Sequence, residues 1–61
     1  MKPKVKIIGE NENVFNLLGI CGRVLKKAGQ VDKSKEMSER VLAARSYEES
    51  LQIMSEYCEL Y

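Results

Sequence analysis

The sequence predicts a small α+β domain: an N-terminal strand, three helices and a short C-terminal strand that pairs with the first. Three observations carry this. Residues 4–9 are β-branched and alternate in polarity, residues 14–28 repeat apolar side chains at helical spacing, and Ser46-Tyr47-Glu48-Glu49 matches the S/T-x-x-E box that opens a helix. Sixty-one residues hold one core, so residues 1–61 read as a single domain. With 44% apolar residues and a net charge of +1 on 31% charged residues, the composition is that of a folded chain and not of a disordered tail.

The first strand is predicted over residues 4–9, with Val5 and Ile7 alternating with Lys4 and Lys6. Pro3 fits only where no ladder hydrogen bond is donated, and Lys2, Lys4 and Lys6 discourage edge-to-edge pairing, so it reads as an edge strand. Glu10-Asn11-Glu12-Asn13 is a polar turn. Its asparagines can cap a helix, and its carboxylates suit the positive end of a helix dipole.

Helix one is predicted over residues 13–28. Val14, Leu17, Leu18, Cys21, Val24, Leu25 and Ala28 form one apolar stripe, Lys26 and Lys27 fall in the last turn, and Gly29 supplies the left-handed stop. Phe15, Gly19 and Gly22 form a second column to one side of this stripe, with Ile20 on the opposite flank. Each internal glycine costs about 1 kcal/mol relative to alanine, so something is expected to approach the backbone there. Either a neighbouring element of the same chain packs on the glycines, or a second subunit or peptide uses them as a groove.

The next helix is predicted over residues 33–45, capped by Asp32 or Ser34, with Met37, Val41, Leu42 and Ala44 inward and Ser38, Glu39 and Arg40 outward. A third is predicted over residues 47–57. Ser46 accepts from the Glu49 N–H, the Glu49 carboxylate reaches back, and Tyr47, Leu51, Met54 and Cys58 form the inner face. Residues 57–61 read either as continued helix or as a strand, and the apolar and aromatic residues at both termini favour a strand paired with the first. If direction reverses at each connection the terminal strands run parallel; antiparallel and unpaired arrangements stay open.

Several activities are argued against by what is missing. There is no histidine, and two separated cysteines cannot supply a structural zinc site, so no metal and no cofactor is expected. Cys21 and Cys58 lie on apolar stripes and read as buried free thiols; a buried thiol has a raised pKa and is a poor nucleophile. The glutamates fit caps and solvated helix faces, and Gly9, Gly19, Gly22 and Gly29 match no phosphate-cradling motif, so the chain is read as not an enzyme. No stretch approaches the length that spans a bilayer, and no signal-type pattern opens the chain, so the reading is cytosolic with no membrane partner.

Charge is uneven along the chain. Residues 1–35 carry eight basic and three acidic side chains, a net +5, and residues 36–61 carry two basic and six acidic, a net −4. Arg23, Lys26, Lys27, Lys33 and Lys35 gather near the end of helix one and are the candidate nucleic-acid contacts. Cations in a last helical turn are also expected from the dipole alone, and a pI near 7.7 is below that of strongly basic nucleic-acid modules.

Lys4-Val5-Lys6-Ile7-Ile8-Gly9-Glu10, then Asn13, Phe15-Asn16-Leu17-Leu18-Gly19 and Val24-Leu25-Lys26-Lys27-Ala28-Gly29, resemble a group of small bacterial and phage or mobile-element proteins. Members of that group read as a strand, a Gly-Glu step into a helix, a basic Ala-Gly helix end, an acidic helix and a Ser-containing corner before a Tyr, which Ser46, Tyr47 and Leu51 match here. The chain departs from them at Arg45-Ser46, where they carry Gly-Asp, and at Tyr57-Cys58, where many carry Trp. The resemblance implies a cytosolic domain, and the group brings no established activity.

The expected function is therefore a non-enzymatic protein-interaction module that self-associates, a dimer being favoured, through Phe15, Gly19, Ile20 and Gly22 or through the open strand edge. The alternative is a weak, electrostatic nucleic-acid accessory protein that uses the basic patch.

Overall fold

In the computed structural model, which describes residues 2–61, the elements run β1 (Lys4–Val5), α1 (Val14–Lys27), α2 (Val31–Leu42), α3 (Tyr47–Tyr57) and β2 (Glu59–Leu60). This is the α+β order read from the sequence. The terminal strands pair in parallel, Lys4 opposite Glu59 and Val5 opposite Leu60. Three helices in succession reverse the chain often enough for both strands to point the same way.

Local chemistry sets most boundaries. Asn13 caps α1 by accepting from the Phe15 N–H at 2.8 Å, and Asn11 Oδ1 accepts from the Asn13 N–H at 2.9 Å. At the other end Gly29 takes φ +78°, its N–H donates to the Lys26 carbonyl at 3.0 Å, and the Gln30 N–H donates to the Leu25 carbonyl at 2.8 Å. These two bonds define a Schellman turn, which satisfies the last carbonyls of α1 and points the chain straight into α2. Ser46 caps α3, accepting from the Glu49 N–H at 3.1 Å. The return bond from the Glu49 carboxylate to the Ser46 N–H is not formed.

The structure corrects four expectations. Regular pairing in the first strand covers Lys4–Val5, not residues 4–9, because Ile7 to Glu10 closes a turn with Gly9 at φ +89°. Beyond Val5, the Ile7 and Ile8 N–H groups still donate to the Tyr61 carbonyl. The second helix starts at Val31 and ends at Leu42, not at 33 and 45; neither Asp32 nor Ser34 caps it, since the N-cap is Gln30, which makes no side-chain cap bond. Residues 57–61 split, with Tyr57 ending α3 and only Glu59–Leu60 forming strand. Finally, the buried line of α3 is Ser50, Ile53, Met54 and Tyr57, while Tyr47 is exposed and Leu51 half-buried.

α1 is the hub. Leu17, Cys21 and Leu25 from its stripe meet Met37 and Val41 of α2, Ile53, Met54 and Tyr57 of α3, Cys58, and Val5 of β1 in one core. β1 lies against α1 and β2 against α3, whereas α2 packs on both helices and touches neither strand. The two buried serines are satisfied: Ser34 Oγ donates to the Gly22 carbonyl at 3.2 Å and Ser50 Oγ to the Ser46 carbonyl at 3.1 Å. Among the described residues no buried side-chain nitrogen or oxygen lacks a partner.

Candidate interaction surface

The residues singled out on helix one fall into different settings. Phe15, Gly19 and Gly22 line one shallow groove where α1 crosses α2, together with Leu18, Arg23, Lys26, Ser34 and Ser38. Gly22 is its buried floor. A Cβ placed there would lie 3.2 Å from Ser34 Oγ, so the close neighbour expected at this glycine is α2 of the same chain. At Gly19 nothing comes within 4 Å of where a Cβ would stand, and the residue faces solvent. Ile20 is on the other flank, half-buried against the core.

Larger apolar side chains lie elsewhere. The short connections fold the helices back on one another, so the start of α1, the end of α2 and the start of α3 converge at one end of the bundle. There a groove of about 310 Å³ is lined by Val14 and Phe15, by Val41 and Leu42, and by Tyr47 and Ser50 with the Ala44–Ser46 corner. Phe15 is 66% exposed, Leu42 67% and Tyr47 43%. Tyr47 also lines the adjoining groove with Ile7, Ile8, Gly9, Leu17 and Leu51, in which Ile8 is 72% exposed. Four large apolar side chains thus stay exposed around one end, and only Phe15 among them was legible as a candidate in the sequence. Leu42 and Tyr47 read there as inward-facing helix positions; the buried line of α2 runs through Ser34, Met37 and Val41, which turns Leu42 about 100° away from it.

Charge follows the helix axes. At the apolar end Glu48 and Glu49 open α3, Glu12 lines the groove beside Tyr47 with Glu10 just upstream, and Arg45 lines the larger groove. At the opposite end, the segment from Arg23 to Lys35 through the α1–α2 corner carries Arg23, Lys26, Lys27, Lys33 and Lys35 against Asp32, all exposed. The five cations do not make one flat face. Arg23 and Lys26 border the α1–α2 groove, whereas Lys33 lies beside Lys2, Gln30, Glu56 and Tyr57. Beside the sheet, the Glu59 and Tyr61 N–H groups donate to the Pro3 and Val5 carbonyls and the Tyr61 carbonyl accepts from the Ile7 N–H, so the free edge of the N-terminal segment presents the Lys4 and Lys6 backbone.

Two further groupings join residues distant in sequence. Arg40 holds Glu56 with both guanidinium nitrogens, at 2.8 and 3.1 Å, donates to the Tyr57 hydroxyl at 3.1 Å, and lies 5.7 Å from the centre of the Tyr57 ring. The Tyr57 hydroxyl donates to Glu36. Arg40 holds the Glu56 carboxyl below its usual range, and the bond to Glu36 raises the Tyr57 hydroxyl. This network ties the outer faces of α2 and α3, which the sequence presented as separate solvated surfaces. The second grouping is the thiols, both free and buried. They share the core; burial first, and then the neighbouring Cys58, pushes Cys21 up to about 12, and burial also raises Cys58. Both stay protonated at neutral pH.

Among the described residues no helix is long and apolar enough to cross a membrane, and no group of three or more Cys, Asp or Glu converges as metal ligands. No protein-family model, curated protein or solved structure matches the chain.

Proposed function

We propose that the chain is a cytosolic, non-enzymatic protein-interaction module that associates with copies of itself through its apolar end. The observation that carries this reading is the gathering of Ile8, Phe15, Leu42 and Tyr47 around two adjoining grooves, outside a core that is complete without them. A chain of this length buries only about 60% of its unfolded surface, so covering such a patch adds stability that the monomer lacks.

Light scattering on wild type and Leu42→Glu tests it. Leu42 projects from the core, so the variant keeps the fold and loses the contact. The wild type should rise above 7.0 kDa with concentration and the variant should not. A wild type that stays monomeric throughout overturns the reading.

A second reading draws on the five exposed cations at the opposite end, as a weak electrostatic contact to nucleic acid. Its signature is retention on DNA or RNA that is lost steeply as salt rises; absence of retention at low salt removes it.

A further inference from the structure

We propose that copies of this chain join head to tail, the basic α1–α2 corner of one seating Val31 in the apolar, acidic end of the next. This rests on the self-association reading above and adds the partner surface to it.

The charge at the apolar end limits what can meet it. Two such ends face to face would bring Glu12, Glu48 and Glu49 of one copy towards the same three of the other, with Arg45 of each groove to offset them. Like charges opposed across an interface penalise that arrangement. The opposite end of the same molecule has the complementary composition, since Lys26, Lys27 and Lys33 flank the corner at Gly29 and Gln30. It also carries the one large apolar side chain exposed there. Val31 is 57% exposed and borders a shallow depression with Gly29, Gln30, Asp32 and Lys33.

Val31 continues the inward line of α2 through Ser34, Met37 and Val41, but it stands past the last residue of α1 and stays 57% exposed. A groove of about 310 Å³ lined by Phe15, Leu42 and Tyr47 has room for a valine side chain. Lysines beside that valine then approach Glu48 and Glu49 in the first turn of α3 and Glu12 of the adjoining groove, while Arg45 is the one charged side chain lining the groove itself. Such a contact joins different surfaces, so it leaves a free head and a free tail and extends into chains or rings with concentration. Its strength should fall with salt, because the charge contribution acts between exposed groups.

Complementation between two blocked variants tests the geometry. Leu42→Glu blocks the head and leaves the tail; Val31→Glu/Lys33→Glu blocks the tail and leaves the head. Sedimentation velocity should give each variant alone as a 7.0 kDa monomer and the equimolar mixture as a one-to-one pair of twice that mass. If the tail variant alone associates as the wild type does, copies meet face to face, and the head-to-tail inference falls while self-association stands. If the mixture stays monomeric although the wild type associates, the two surfaces are not complementary and the inference also falls. A wild type that never associates overturns both. Helical circular dichroism checks each fold, and Phe15→Glu with Lys26→Glu/Lys27→Glu replaces the pair should either variant lose it.

Discussion

Gly19 and Gly22 lie about one turn apart on α1 and answer to different constraints. Gly22 is held against Ser34, which leaves 3.2 Å for a methyl group, whereas Gly19 faces open space. Gly19→Ala should therefore raise stability by about 1 kcal/mol, the helix-propensity difference. Gly22→Ala should lower it, and Ser34→Ala in the same chain should recover part of the loss, because the hydroxyl that obstructs the new methyl is gone. Denaturant midpoints of the four chains measure this; simple additivity of Gly22→Ala and Ser34→Ala would contradict it. The thiols give a pH dependence. Unfolded cysteines lose their protons above their ordinary value of 9.0, while buried Cys21 keeps its own to about 12. The unfolded state then binds fewer protons, so stability is complete below pH 9 and declines as pH rises above it. Cys21→Ala/Cys58→Ala should show a shallower alkaline decline in unfolding midpoint, and an unchanged slope would refute the assignment.

Helix ends separate what was legible from what was not. The limits of α1 could be read because Asn13 and Gly29 act locally, one through its own side chain and the other through its own φ. The same holds for Ser46 at α3. Ser46→Ala should cost about 1 kcal/mol by urea denaturation, while Gln30→Ala should leave the midpoint unchanged, since Gln30 makes no side-chain cap bond. The start of α2 was hidden because the Schellman turn at Gly29 leads within two residues to Val31, and Gln30 between them makes no side-chain cap bond that would mark the start. Ser34, read as a cap, instead bonds the Gly22 carbonyl across the helix pair. The face of α3 was hidden for a related reason. Ser50 lies on the buried line, but a hydroxyl satisfied by the Ser46 carbonyl looks polar in sequence, and Tyr47 and Leu51 took its place. The Arg40, Glu56, Tyr57 and Glu36 cluster depends on α2 meeting α3, which no local spacing reports.

At the scale of the whole molecule, folding rearranges the charge that the sequence displays. The basic first half and acidic second half are interleaved, and Glu10 and Glu12 join Glu48 and Glu49 at the end opposite Lys26, Lys27 and Lys33. The candidate surface was legible only in Phe15. Leu42 and Tyr47 became part of it because they lie off the buried lines of α2 and α3. Raising salt should weaken self-association without changing monomer stability to the same degree, since the Arg40–Glu56 pair is the only ion pair closed within the chain among the described residues. The most direct measurement is a dilution series of backbone amide spectra from micromolar to millimolar protein. The account predicts concentration-dependent shifts confined to Ile8, Phe15, the Leu42–Tyr47 corner and the Gly29–Lys33 corner. Spectra that superimpose at every concentration, or shifts centred on the outer faces of α2 and α3, would contradict it.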